Sequence, residues 1–212
     1  MAIDKLFELL DDWRFLPAYQ LERRADIFFA LHLEKIIEKK FNVKIDTIIP
    51  EFPVRVGEIY NNLSEINKSF KIDYLTYSGF SNKVFLIELK TDQKSRRDNQ
   101  DKYLQGAVRI KLKGLLNGVI EIYKATQHRT KYNYLIDKLI LINWLKRDNN
   151  AIKITCPDIA PEIIYIQPLN PDNLNNVVSF DDIIEILSSS DNTLTKRFIE
   201  SLERWKQDPN KR

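Results

Sequence analysis

Between Lys71 and Lys90 the chain reads Lys-Ile-Asp-Tyr-Leu-Thr-Tyr, then Ser-Gly-Phe-Ser-Asn, then Lys-Val-Phe-Leu-Ile-Glu-Leu-Lys. Two apolar runs flank a turn rich in Gly, Ser and Asn, the pattern of a β-hairpin. The charges are the constraint. Asp73 interrupts the first run, and Glu88 and Lys90 interrupt the second. A charge among core residues is costly unless something compensates it.

Side chains alternate faces along a strand. Glu88 and Lys90 therefore share a face with Val84 and Leu86, while Phe85, Ile87 and Leu89 point the other way. A hairpin centred on Phe80 and Ser81 sets Asp73 opposite Glu88, with Cβ atoms about 4.5–5.5 Å apart. Two carboxylates that close repel unless a cation joins them. Oxygen ligands of this kind suit Mg2+.

The remaining chain predicts regular elements around that hairpin. Hydrophobic residues make up 43% of the 212 and aromatics 11%, enough for a packed core, and only 5 Gly and 8 Pro leave little for long loops. Residues 1–17 read as a short amphipathic helix. Residues 21–41 read as a long one, with Ile27, Phe28, Leu31, Leu33, Ile36 and Ile37 on its apolar face and Glu34 at the edge. Residues 42–56 read as extended, with Pro50 and Pro53 marking an edge or a bend. Between them Glu51 is either an accessory site acid or a charge guarding a sheet edge. Residues 57–68 are polar and read as a loop.

Past Lys90, Ser95 with Asp98 three residues on resembles a capping box, so a helix is predicted to start there. Leu104, Val108, Leu112, Leu115 and Val119 mark its buried face. From Lys90 to Lys113 eight Lys or Arg stand against three Asp, a surface suited to phosphates. Residues 122–134 read as loop, 135–144 and 162–167 as strands, and 180–187 and 193–206 as helices, the former capped by Ser179. No linker composition appears, so the chain reads as one domain.

Several classes are disfavoured. One cysteine, Cys156, rules out an internal disulfide framework and a cysteine zinc site. Two histidines, His32 and His128, make a histidine metal site a poor candidate. The start Met-Ala-Ile-Asp-Lys is not a signal peptide, and no apolar run reaches membrane-spanning length. A cytoplasmic protein without a membrane is expected.

With Asp73 on one strand and Glu88-Leu89-Lys90 on the next, fifteen positions later, the chain resembles the PD-(D/E)xK nuclease superfamily. Its members nearest in pattern are RecB-like or uncharacterised. The resemblance covers roughly residues 21–145 and leaves 146–212 as a C-terminal extension. It departs from the pattern in lacking a proline before Asp73, and in spacing Gln100 and Tyr103 by three rather than four.

What the resemblance implies is an α/β restriction-endonuclease-like core, a central mixed β-sheet flanked by helices in the order αβββαβ. It implies a Mg2+-dependent nuclease, with Mn2+ able to substitute, acting on nucleic acid and on DNA first. Asp73, Glu88, Lys90 and Gln100 are then the catalytic set. Asp73, Glu88 and the Leu89 carbonyl hold the metal, and Glu34 is the candidate acid from the first long helix. Lys94, Arg96, Arg97, Lys102 and Tyr103 face the nucleic acid. A homodimer stays open. The rival readings are a non-catalytic nuclease-fold module that binds nucleic acid or a protein, and a metal-free network of paired buried charges.

Overall fold

The computed structural model describes residues 2–60, 68–92, 98–149 and 151–207. Its elements are α1 (Ala2–Trp13), α2 (Leu21–Phe41), β1 (Thr47–Arg55), α3 (Val56–Ile59), β2 (Ser69–Ser78), β3 (Lys83–Leu89) and α4 (Asp98–Ala125). They continue with α5 (Arg129–Leu141), β4 (Leu145–Asp148), β5 (Ala151–Ile154), β6 (Glu162–Gln167), β7 (Val177–Ser179), α6 (Phe180–Leu187) and α7 (Thr193–Trp205). Five strands form a mixed sheet in the order β1-β2-β3-β6-β7, and β4 and β5 form a separate hairpin. The α/β class and the strand–turn–strand at 69–89 follow the sequence expectation. The sheet also draws β6 and β7 from residues beyond 145. No helix among the described residues is long and apolar enough to cross a membrane.

The chain divides into two compact units. Met1–Ile45, Ile87–Arg97 and Ile164–Arg212 form the first, and Asp46–Leu86 and Asp98–Ile163 the second.

The first unit is built on aromatic packing. Phe7 meets Phe28 at 4.6 Å between ring centroids, and Phe198 meets Phe29 edge-on at 5.1 Å and Trp205 at 6.2 Å. Such pairs add about 0.5–1.5 kcal/mol each beyond their buried area. His32 stacks on Phe198, and burial followed by the nearby Lys35 charge holds its imidazole below the usual range, so it is a neutral packing residue. Asp11 ties α1 to α7. It accepts from Arg197 at 2.9 Å, from the Trp205 indole at 2.9 Å, and from Arg204. Burial pushes the Asp11 carboxyl up, but these donors and Ser201 outweigh it and the net shift is downward. Ser179 and Asp182 cap α6 reciprocally, as the sequence predicts, and Lys40 of α2 bonds Asp182 at 2.8 Å.

In the second unit β1 and β2 run antiparallel, and β1 is an edge strand, which is where Pro50 and Pro53 are tolerated. Helix α4 is broken at Lys111, whose φ of 58° and ψ of −179° are not helical. The Leu112 N–H donates to the Ile159 carbonyl at 2.8 Å instead of continuing the helix, and Lys111 Nζ bonds Asp158 at 2.8 Å.

Four expectations fail here, the first being that residues 57–59, expected as loop, belong to helix α3. The strand expected at 135–144 is helix α5, with Ile136 and Leu139 buried. A short run rich in Leu and Ile suits either element, and three-residue spacing decides for the helix. The loop expected at 122–134 is taken up largely by the ends of α4 and α5. On α2, Ile27 and Leu31 are 58% and 60% exposed rather than core. Residues 61–67 of the expected loop lie outside the described residues, as does the capping box at Ser95.

Candidate functional site

Strand β3 is the third of five, and its residues Val84 to Leu89 are all buried. The sequence predicts one core face here, whereas the structure buries both, as central strands require. Glu88 and Lys90 are therefore charges in a dry place, 2% and 4% exposed. They compensate each other: Lys90 Nζ donates to Glu88 Oε1 at 2.8 Å and to the Leu89 carbonyl at 3.0 Å. Their backbone is held as well, since the Lys90 N–H donates to the Ile166 carbonyl at 2.7 Å.

A third charge joins them within the first unit. Glu22, in the first turn of α2, brings Oε2 to 3.7 Å from Lys90 Nζ. Glu22, and not Glu34, is the α2 acid beside the β3 charges. Glu34 is exposed, and twelve residues of helix separate the two, about 18 Å at 1.5 Å per residue. The signal for Glu22 is present in the sequence. Glu22, Ala25, Phe29, Leu33 and Ile36 recur at helical spacing, and the four apolar members are fully buried. An acid in step with that stripe is aimed inward.

In the second unit Asp73 is half-buried on β2 between Ile72 and Tyr74. The pairs Pro50–Tyr74 and Phe52–Ile72 bracket it and set Glu51 across from it. Glu51 has φ 51° and its carboxylate pairs with Lys71 at 3.2 Å, both well exposed, which is also how an edge-strand charge looks. On α4, Gln100 is half-buried and Lys102 is exposed. The Tyr103 ring packs on Phe70 at 4.9 Å and Tyr60 at 5.8 Å. Lys94, Arg96 and Arg97 lie outside the described residues.

The other reactive-type side chains are accounted for. Burial raises the Cys156 thiol above its usual range, so it is a protonated packing residue. His128 is exposed at the start of α5. Among the described residues no three His, Cys, Asp or Glu side chains form a group able to hold a metal ion.

Around Lys90 Nζ lie Glu88 Oε1 at 2.8 Å, the Leu89 carbonyl at 3.0 Å and Glu22 Oε2 at 3.7 Å, all oxygen and of the donor type that a hard cation takes. Mg2+ commonly takes only one or two carboxylates and completes its shell with water and phosphate oxygens. No family model, no curated protein and no solved structure matches this chain.

Proposed function

We propose that the chain is a Mg2+-dependent nuclease of the PD-(D/E)xK type, hydrolysing phosphodiester bonds of nucleic acid, with DNA as the favoured substrate. The observation that carries the reading is the Glu88–Lys90 pair. Two opposite charges two residues apart are kept more than nine-tenths buried at the end of a central strand, with Glu22 beside them. A purely structural strand gains nothing from such a pair that apolar residues would not supply. Glu88, the Leu89 carbonyl and Glu22 are the residues that would hold the ion. Asp73 enters as a further acid on its place in the motif alone.

When bound, Mg2+ supplies Lewis acidity and a lowered water pKa. The chain's own groups do the rest. In the absence of the ion, Glu88 and Glu22 hold the Lys90 side chain in place. Released from those oxygens, the Lys90 ammonium would stabilise negative charge developing on phosphate oxygen. The buried surroundings strengthen that interaction relative to water.

The second reading, a non-catalytic nucleic-acid- or protein-binding module, has its own support: Lys90 Nζ already satisfies Glu88 Oε1 and the Leu89 carbonyl. One assay separates the two. Supercoiled DNA, single-stranded DNA and RNA are incubated with the full chain in Mg2+, Mn2+ or EDTA. Metal-dependent cleavage that Glu88→Gln and Glu22→Gln reduce at least a hundredfold supports the nuclease. Salt-sensitive binding without cleavage in either metal supports the module.

A further inference from the structure

The outward face of α2 carries a second pattern that the site does not use. Arg24, Ile27, Leu31 and Glu34 recur at spacings of three, four and three, the spacing of a coiled-coil seam. Ile27 and Leu31 at its middle are 58% and 60% exposed, and Arg24 and Glu34 on either side are exposed too. The opposite face, Leu21, Ala25, Phe29, Leu33 and Ile36, is the buried one. The seam is therefore a separate apolar stripe, not the edge of the core.

The order of the residues along the seam is self-complementary. Reversed and laid against a second helix of the same sequence, with the two-fold axis midway between Ile27 and Leu31, each position meets a suitable partner. Ile27 meets Leu31 of the second copy, and Leu31 meets its Ile27. Arg24 meets Glu34 of the second copy, and Glu34 its Arg24. The charges thus match only in the antiparallel arrangement. In a parallel pair Arg24 would face Arg24 and Glu34 would face Glu34. Ala30, beside the axis, is small enough to let the two helices approach. The Arg24 guanidinium lies over the Tyr19 ring at 5.7 Å, which holds it at the rim of the stripe.

We infer that this face of α2 is a homodimer interface, occupied by α2 of a second copy of the chain in antiparallel register. A two-fold pairing uses the same patch on both copies, which the palindromic charge order requires. One helix pair is a small interface, so the dimer forms and dissociates readily with concentration.

Sedimentation velocity on the full chain over a wide concentration range tests this. Wild type is expected to shift from monomer to dimer. Arg24→Glu sets acid against Glu34 of the second copy, and Glu34→Arg sets base against its Arg24. Each is expected to weaken association about tenfold or more. The double variant Arg24→Glu/Glu34→Arg is expected to recover it. These side chains are exposed, so folding is not at stake. A monomer at every concentration, a dimer indifferent to the single reversals, or a double variant as weak as the singles would each overturn the inference.

Discussion

Replacing Lys90 by Met removes the ammonium from a carboxylate that is 2% exposed. The side chain keeps its length and loses a hydrogen bond of 2.8 Å to Glu88 Oε1 and one of 3.0 Å to the Leu89 carbonyl. Breaking a buried pair from one side costs about 3–5 kcal/mol, because the remaining charge loses its compensation. In a chain of this size each kcal/mol moves Tm by about 2–4 °C. Lys90→Met is therefore expected to lower Tm by about 6–20 °C. Lys90→Ala breaks the same buried pair and is not a neutral probe of chemistry. Two corollaries sharpen the reasoning. Glu88→Gln/Lys90→Met, which removes both charges, should cost less than Lys90→Met alone. Mg2+ should stabilise Lys90→Met more than wild type, since no ammonium then competes for the oxygens. At a hundredfold excess over its Kd an ion returns about 2.7 kcal/mol. The assay is thermal unfolding followed by circular dichroism, with and without Mg2+. A loss under about 1 kcal/mol, or a Tm of Lys90→Met indifferent to Mg2+, would refute the description of Lys90 as the cation at the centre of an oxygen cluster.

Lys111→Gly should raise stability by about 1 kcal/mol in denaturant unfolding, since backbone strain of about 1–3 kcal/mol at φ 58°, ψ −179° is relieved while an exposed ion pair worth under about 1 kcal/mol is lost; destabilisation would contradict the strain. Asp11 has a folded pKa below its ordinary value of 3.8, so its contribution is present above that value and lost as pH falls through the lower folded value. Asp11→Asn should accordingly flatten the acid limb of a Tm-against-pH profile, and an unchanged limb would count against the hub at Asp11. Gly106→Ala brings a Cβ within 2.3 Å of Ile59 Cγ2 and should destabilise by about 1–3 kcal/mol, read from the same unfolding curves.

The hairpin was legible because its two signals are local: apolar runs of strand length and a turn of Gly, Ser and Asn between them. The capping box at Ser179 and Asp182 was legible for the same reason. What lay beyond the sequence depended on which face of an element is covered. Helix α2 is apolar on two sides, so counting apolar residues merges the core stripe with the exposed seam of Ile27 and Leu31 and points to Glu34 at its edge. Residues 135–144 read as a strand because Leu135, Ile136, Leu139 and Ile140 come in pairs, a pattern that a short strand also shows. The hairpin of β4 and β5 has a cue, Asn149-Asn150 between Leu145–Asp148 and Ala151–Ile154, with Asn149 at φ 52°. The burial of Glu88 and Lys90 on a strand covered on both faces needed the sheet order, which alternation along one strand does not contain.

The proposed function requires a divalent-cation site at the oxygens around Lys90. Electron paramagnetic resonance of Mn2+ titrated into the full chain tests that directly. About one bound ion per chain is predicted, displaced by excess Mg2+, lost in Glu88→Gln and retained in Glu34→Gln. No bound Mn2+ in the folded protein, or the same binding in wild type and Glu88→Gln, would contradict it.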